Sequence, residues 1–133
     1  MIYQKREKII SSYIQAYNSF DVPKMTANFS DKIFFTNIQN GETSMTLNGI
    51  EEFKKQAELA KTYFSERQQI VKAIKHKGEK SQIEIEYYGV LAIDFPNGMK
   101  KGQEIRLNGT SIFEFSELKL KLKLKLHCTP LDV

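Results

Sequence analysis

The first forty residues constrain the fold more than any other part of the chain. Apolar and aromatic side chains recur there every three or four residues, which predicts an amphipathic helix with one buried stripe. The stripe consists of Arg6, Ile9, Ile10, Tyr13, Tyr17 and Phe20. Asp21 then suits the N-cap of a short second helix, with Pro23 in its first turn and an expected end near Ser30. The run IFFTNI at residues 33–38 predicts a strand, so the order is helix, break, short helix, strand.

The length and composition fit one domain with one core. The 133 residues are 41% hydrophobic and 27% charged, and no Pro-, Gly- or Ser-rich linker divides residues 1–133. No apolar stretch approaches the roughly 20 residues that cross a bilayer. The first ten residues, MIYQKREKII, carry charges where a signal peptide is apolar. We therefore expect a cytoplasmic protein that does not bind membranes.

Few side chains are available for metal or redox chemistry. Cys128 is the only cysteine, which excludes an intramolecular disulfide, and His76 and His127 are the only histidines. These three residues are not spaced as a zinc site, so we expect no metal and no cofactor. The net charge is +4, with basic residues interleaved with Glu throughout. This pattern lacks the concentrated basic surface of a nucleic-acid-binding protein, and we expect no nucleic-acid partner.

A hairpin and a third helix are predicted next. Asn40-Gly41 is a hairpin turn signal and SMTL at residues 44–47 a return strand. Asn48 then suits an N-cap, with Glu51 three residues later as in a capping box, for a helix from about Ile50 to Phe64. The inner stripe of this helix would be Ile50, Phe53, Ala57, Ala60 and Phe64. Its two alanines either bring the helix close to a sheet or leave space for a ligand.

The remainder of the chain alternates with a period of two, which is typical of strands. Four such runs, QQIVKAIKH, QIEIEYYGVLAID, QEIRLNGTSIFEF and LKLKLKLKL, predict an antiparallel meander. Helices followed by strands indicate the α+β class. Gly89 and Gly109 lie inside strands and predict bulges or sharp bends in a strongly curved sheet, whose apolar face the three helices cover.

The alternation also assigns side chains to the two faces of the sheet. One inner set is Ile83, Ile85 and Tyr87, and the inner set of the following strand is Ile105, Leu107, Gly109, Ser111, Phe113 and Phe115. Glu84 and Glu86 point outward, where pairing with Lys121 and Lys123 of a neighbouring strand is expected.

The chain resembles the NTF2-like superfamily and, within it, the SnoaL-like group of polyketide cyclase-like and ketosteroid isomerase-like proteins. The residues that carry the resemblance are SYIQAYNSFDVPKMTANFSDKIFFTN, NGIEEFKK and YYGVLAIDFPNGMKKGQEIRLNGTSIFEF, within residues 5–118. The resemblance implies an NTF2-like cone, in which three N-terminal helices pack in the concave face of the curved sheet. The segment after about residue 118 looks least like the family.

The resemblance also allows catalytic roles to be tested residue by residue. In ketosteroid isomerase, an Asp base acts with a Tyr and a protonated Asp that donate to the oxyanion. The oxyanion Tyr corresponds to Tyr13, but the base falls on Asn37, which takes no proton at neutral pH, and the second acid falls on Ser111. The cyclase type needs an acid near the last strands, where the inward residues are leucines. Asp94 and His127 remain as candidate bases, with Asp94 expected to be solvated beside a turn.

We interpret the cone as a binding pocket for a small apolar or aromatic molecule, without a supported catalytic base. The candidate pocket residues are Tyr13, Tyr17, Asn37, Phe53, Tyr87, Ser111 and Phe113. The tyrosines could instead be core aromatics whose hydroxyls bond the backbone. His76 is expected at the end of a strand, beside Lys75, Lys77 and Glu79 in a solvated turn.

Two alternatives remain open at this point. One is an interaction domain that forms a homodimer through the outer sheet face, with its cone filled by side chains. The other is an isomerase- or cyclase-type acid–base enzyme, which requires a carboxylate or His127 inside the cavity.

Overall fold

Helices and strands follow each other in the predicted α+β order. The computed structural model describes residues 2–29, 33–39, 42–96, 98–116 and 119–122. Within these ranges the helices are α1 (Ile2–Asn18), α2 (Val22–Met25) and α3 (Ile50–Lys61). The strands are β1 (Phe34–Gln39), β2 (Glu42–Asn48), β3 (Phe64–Lys77), β4 (Lys80–Leu91), β5 (Glu104–Ser116) and β6 (Lys119–Leu122).

The strands form a hairpin and a meander, both antiparallel. β1 pairs with β2, and the larger sheet has the order β3-β4-β5-β6. The helices pack in the concave face of the sheet, and the core contains the inward residues that the alternation assigned, such as Ile83, Ile85, Phe113 and Phe115. The predicted cone architecture is confirmed. Asn40, Gly41 and the end of the LKLKLKLKL run, with His127 and Cys128, lie outside the described residues.

The buried stripe of α1 is largely as predicted. Arg6, Ile10, Tyr13 and Tyr17 are buried, and Ile9 is half-buried. The stripe ends earlier than expected, because α1 stops at Asn18 and Phe20 lies beyond it.

A hydrogen-bonded turn reverses the chain at the end of α1. The Phe20 N–H donates to the Tyr17 carbonyl at 3.1 Å, and the Asp21 N–H donates to the Ala16 carbonyl at 2.9 Å. This pair of bonds is the Schellman motif, whose left-handed position glycine usually occupies. Here Phe20 occupies it, with φ 59°, so the backbone accepts strain to place an aromatic ring at this point.

The short helix α2 begins as predicted and ends sooner. Asp21 Oδ1 accepts the Lys24 N–H at 3.2 Å, and Pro23 lies in the first turn. The expected end near Ser30 is wrong, because α2 stops at Met25. Thr26 caps it, and its hydroxyl donates to the Val22 carbonyl at 3.2 Å, a side-chain bond that competes with helix continuation.

The start and the end of α3 both differ from the expected ones. Asn48 is the last residue of β2 and not a cap, because Gly49 occupies the N-cap position with φ 86°, a conformation suited to glycine. Glu52, rather than Glu51, reaches back and accepts the Asn48 N–H at 2.9 Å. The helix ends at Lys61, so Phe64 opens β3 instead of closing α3. Phe53, Ala57 and Ala60 form the buried stripe of α3.

Of the bulges or sharp bends expected at Gly89 and Gly109, no bulge is present at either glycine. The β4–β5 register runs without a shift through both glycines, whereas β3 shifts against β4 between Phe64 and Glu66 and between Val71 and Ala73. The glycine at position 89 is explained by packing instead. A Cβ built there would lie 3.0 Å from the Phe64 ring, so the glycine allows this ring to lie against β4.

The expected pairing of Glu84 and Glu86 with lysines of the last strand is also wrong. β5 lies between β4 and β6, so these strands are not neighbours. Glu84 Oε2 instead accepts a hydrogen bond from Thr110 Oγ1 at 3.0 Å. Glu86 forms an ion pair with Lys72 of β3 at 3.7 Å. Both contacts are on the outer face, as predicted.

Candidate functional site

A cavity lies between the helices and the inner face of the sheet. Its volume is about 40 Å³, which is room for roughly three water molecules. This is well below the roughly 300 Å³ or more of typical ligand pockets, so a ring-sized ligand requires side chains to move apart. The apolar lining is Met25, Phe35, Leu47, Phe53, Ala57 and Ala60.

The polar lining comes mainly from α1 and the inner face of β3–β5. It consists of Tyr13, Tyr17, Gln56, Arg67, Gln69, Tyr87 and Ser111. Every one of these side chains can donate a hydrogen bond. Within the described part of the chain, no Asp or Glu lines the cavity.

The candidate pocket residues from the sequence are not all placed at the cavity. Tyr13, Tyr17, Phe53, Tyr87 and Ser111 line it. Phe113 is 0% exposed and lies behind Tyr13, with its ring edge-on at 5.8 Å between centroids, so it supports the wall without lining it. The backbone of Asn37 pairs with Met45 in the β1–β2 hairpin, and the side chain of Asn37 is outside what the structure describes.

Two tyrosine hydroxyls meet in the interior. Tyr17 Oη and Tyr87 Oη are 2.8 Å apart, and their rings pack edge to face at 6.2 Å. One O–H proton lies in this bond, which leaves the other available to a third group. For Tyr17, the hydroxyl thus bonds another side chain and not the backbone partner of the alternative interpretation.

Burial keeps these phenols neutral. Burial raises the pKa of Tyr17, and the charge of the nearby Arg67 opposes this increase. Burial, reinforced by the proximity of Tyr17, also raises the pKa of Tyr13 and of Tyr87 far above the ordinary value. The three side chains are hydrogen-bond donors at neutral pH and not bases.

Arg67 of β3 is the functional candidate that sequence reasoning missed. Only 5% of it is exposed. Its Nε donates to the Tyr17 carbonyl at 3.0 Å, and its guanidinium lies over the Tyr17 ring at 3.7 Å and the Phe20 ring at 4.5 Å. Its Nη2 has no hydrogen-bond partner among the described residues. Arg67 is therefore a buried cation in the lining of the cavity, and its Nη2 group is an unused hydrogen-bond donor.

The end of α1 holds the strand that carries Arg67. Asn18 Oδ1 accepts the Gln69 N–H at 2.8 Å, and Asn18 Nδ2 donates to the Gln69 carbonyl at 3.2 Å. Together with the Arg67 bond to Tyr17, this ties the helix to β3 at adjacent inward positions. The polar groups of the cavity are therefore fixed by both elements.

The remaining candidate bases are not at this site. Asp94 is exposed, as expected, and its Oδ1 accepts the Lys101 N–H at 2.9 Å. His127 lies outside the described residues. No group of three or more His, Cys, Asp or Glu in the described ranges could hold a metal ion.

His76 lies at the end of β3, as expected, but its side chain is not solvated. Its Nδ1 lies 2.7 Å from Ser81 Oγ, its Nε2 lies 3.1 Å from Glu7 Oε2, and its ring stacks on Tyr3 at 4.5 Å. The acid–imidazole–hydroxyl order is that of a serine hydrolase. Ser81, however, is 0% exposed, so no substrate reaches its hydroxyl and the chain of bonds joins α1 to the β3–β4 hairpin.

Comparison with known proteins identifies the fold. Neither a family model nor a curated protein sequence matches the chain. Among solved structures, a proposed SnoaL-like polyketide cyclase from Jannaschia sp. CCS1 superposes with a TM-score of 0.77 at 9% identity, over 92% of this chain and 84% of that one. An NTF2-like protein of unknown function from Burkholderia pseudomallei has a TM-score of 0.73 at 14% identity, over 94% and 91%.

A third similar structure is an enzyme of another kind. An LEH-like epoxide hydrolase from M. tuberculosis superposes with a TM-score of 0.73 at 10% identity, over 93% of this chain and 82% of that one. The chain therefore has the NTF2-like fold that the sequence resemblance implied. Such a fold carries several unrelated functions, so the function has to be argued from the site itself. No helix in the described part of the chain is long and apolar enough to cross a membrane.

Proposed function

We propose that this protein binds a small apolar or aromatic molecule in the cavity of its NTF2-like cone. The observation that carries the proposal is the convergence of buried polar side chains, Tyr17, Arg67, Gln69, Tyr87 and Ser111, on one otherwise apolar cavity. Polar groups that are buried without full pairing are costly, and ligand sites are where they are retained. The ligand would place its ring against Phe53 and Ala57 of α3, with the side chains of the lining moved apart to admit it, and an oxygen atom against the polar side.

The proposal assigns no reaction, cofactor or metal. Proton abstraction needs a base with a pKa near the operating pH within reach of the ligand. The described lining offers neutral phenols, amides, a hydroxyl and a guanidinium. An isomerase- or cyclase-type reaction would require a base from outside this set. The cytoplasmic location and the single domain over residues 1–133 remain predictions from the sequence.

A cavity-filling pair of variants tests binding. Ala57→Leu adds volume at the cavity, whereas Lys55→Leu introduces the same side chain at an exposed position of α3. A thermal-shift screen of steroid-like, polyketide-like and aromatic compounds should find compounds that raise the Tm of the wild type and of Lys55→Leu. At about 100 times Kd the shift should be on the order of 10 °C. Ala57→Leu should lose it.

Two results would contradict the proposal. One is that no compound stabilises the wild type. The other is that Ala57→Leu remains folded and responds as Lys55→Leu does, because binding would then occur elsewhere on the surface.

A homodimer through the outer sheet face is the second candidate, and an exposed apolar residue supports it. Ile70 of β3 is 41% exposed. Nearby on the same face, the Arg106 guanidinium lies 4.8 Å from the centre of the Tyr88 ring. An apolar side chain beside an Arg–Tyr pair matches the residue types enriched at protein interfaces.

A further inference from the structure

The charge on Arg67 has no counterion in the described part of the chain. No Asp or Glu of these residues lies within 4.0 Å of its guanidinium, although surface pairs such as Lys72–Glu86 are present. An arginine stays protonated in a protein, so burial cannot be relieved by losing the proton. Aromatic faces compensate part of the cost, through Tyr17 and Phe20. The Nη2 group remains without an acceptor.

The surroundings of Arg67 add donors and no anion. Gln69 and Ser111 have donor groups, and the Tyr17–Tyr87 pair has one O–H proton beyond its mutual bond. The Tyr17 hydroxyl, to which the Arg67 and Gln69 side chains hydrogen-bond, is a neutral partner and carries no charge to balance Arg67. Preorganised donors around a buried cation, in a site from which water is largely excluded, favour an acceptor that carries negative charge. A neutral carbonyl would satisfy the donor but not the charge.

A second buried arginine provides the internal comparison. Arg6 of α1 is also buried, and its guanidinium lies near Tyr3 at 5.4 Å and Phe115 at 5.1 Å. Its Nη1 donates to the Gly78 carbonyl at 2.7 Å, which ties α1 to the β3–β4 turn. Arg6 does not line the cavity, and its unpaired Nε therefore faces no ligand space. The two arginines have similar burial and aromatic contacts but differ in access to the cavity.

We infer that the ligand carries a carboxylate, whose oxygen accepts a hydrogen bond from Arg67 Nη2 while the apolar part of the ligand lies against Phe53 and Ala57. The inference rests on the proposed ligand-binding function and names the class of ligand. It distinguishes this cavity from one that selects an uncharged ring with a hydroxyl or carbonyl group.

Matched pairs of probes separate charge from shape. Acetate and acetamide are small probes that differ in charge, and benzoate and benzamide add an aromatic ring. Their Kd values would be measured by NMR titration of the ¹⁵N-labelled full chain at pH 7 and constant ionic strength. In the wild type the carboxylate of each pair should bind about tenfold to a hundredfold more tightly than the amide. The Arg67 Nε–H resonance should shift on binding.

Three variants locate the preference. Arg67→Met retains length without charge and should bring the acid-to-amide ratio close to one, while Arg67→Lys retains the charge and should keep part of the preference. Arg6→Met removes the other buried guanidinium and should leave the ratio unchanged. If Arg67→Met does not fold, the acid-to-amide ratios of the wild type and of Arg67→Lys still test the carboxylate inference.

The two possible failures are distinguishable. Three results would overturn the carboxylate inference. The wild type could bind acid and amide equally, Arg67→Met could leave the acid-to-amide ratio intact, or Arg6→Met could abolish the ratio as Arg67→Met does. The proposed binding function would survive each of these results, because the ring compounds still bind. If no probe binds and the thermal-shift screen also finds no ligand, both the inference and the proposed function are wrong.

Discussion

At the scale of single residues, the three cavity tyrosines are set by burial more than by charge. Burial is the largest cause of the raised pKa of Tyr13, Tyr17 and Tyr87. Arg67 opposes this effect at all three positions, yet the phenols remain protonated. A neutral phenol donates to a ligand oxygen, whereas a phenolate would neutralise the arginine. The protonation state of the tyrosines therefore leaves the Arg67 charge available to a ligand.

The raised tyrosine pKa values predict how stability depends on alkaline pH. The pKa of each buried phenol is higher in the folded chain than the unfolded value of about 10. The contribution to stability is therefore complete below about pH 10 and is lost as the pH rises toward the folded pKa. Above about pH 10 the unfolding free energy should fall by about 1.4 kcal/mol per pH unit for each such tyrosine.

Tyr87→Phe isolates one of these groups. Between pH 8 and pH 11 the unfolding free energy of the variant should fall by about 1 kcal/mol less than that of the wild type. Urea unfolding at both pH values measures the two losses. Absorbance at 295 nm should show fewer ionised tyrosines in the folded wild type than in urea. A stability difference that is the same at both pH values would show that Tyr87 ionises equally in both states.

The sequence predicted four of the five aromatic residues that line the cavity, missing Phe35, and did not predict the charge of Arg67. Helical spacing placed Tyr13 and Tyr17 on the buried stripe, and alternation placed Tyr87 and Ser111 on the inner face, because these patterns are local. Arg67 was missed because a register shift between Phe64 and Glu66 sets the phase of β3, and because long polar side chains are rarely fully buried. The signal in the sequence that could have identified Arg67 was the alternation of Arg67, Gln69 and Val71, which places them on one face of the strand.

At the scale of elements, the contact between α1 and β3 determines where the polar groups of the cavity lie. The two hydrogen bonds of Asn18 to the Gln69 backbone and the bond of Arg67 to Tyr17 all join these elements. Farther along, Arg6 holds the β3–β4 turn at Gly78. The helix is therefore attached to the strand at both ends, and the tyrosines between these attachments face the cavity.

Asn18 variants test this attachment. Asn18→Ala removes both side-chain bonds to Gln69 and leaves two part-buried backbone groups without partners, which should lower the unfolding free energy by roughly 1–3 kcal/mol. Asn18→Asp retains the acceptor for the Gln69 N–H and loses the donor to the carbonyl, so its loss should be smaller. Urea unfolding of the three proteins measures the order. Equal stability of Asn18→Ala and wild type would mean that the two Asn18 side-chain bonds do not hold the helix to the strand.

Element types were predictable, whereas several boundaries were not. The periods of 3.6 and 2 identified α1, α3 and the meander, because each pattern extends over many residues. The end of α2 and the start of α3 are set by single residues. Thr26 is the C-cap of α2 and bonds back to Val22 through both its N–H and its hydroxyl, and Gly49, with φ 86°, takes the cap position expected for Asn48. Such single-residue geometry is not visible in a hydrophobic pattern.

At the scale of the whole molecule, the sheet presents two chemically different faces. Its inner face, with Ile83, Ile85 and Phe113, is closed by the helices. Its outer face carries charged residues such as Glu86 and Lys72, which form an ion pair, together with the exposed Ile70. Ion pairs at such a surface contribute little to stability. If copies of the chain associate, the apolar contribution must come from the surroundings of Ile70.

A charge substitution on this face tests the homodimer. Ile70→Lys places an ammonium group where two copies would bring their apolar side chains together, and in a two-fold interface each copy suffers the change. Sedimentation velocity across micromolar concentrations should show a dimer for the wild type and a monomer for Ile70→Lys. Leu59→Lys on α3 is the control, because Leu59 is also exposed, at 51%, but lies on a helix away from the sheet. A monomeric wild type, or a dimer that Leu59→Lys rather than Ile70→Lys dissociates, would exclude the outer face. Ligand affinity should be the same in the monomer and the dimer, since Ile70 does not line the cavity and the lining comes from one copy of the chain.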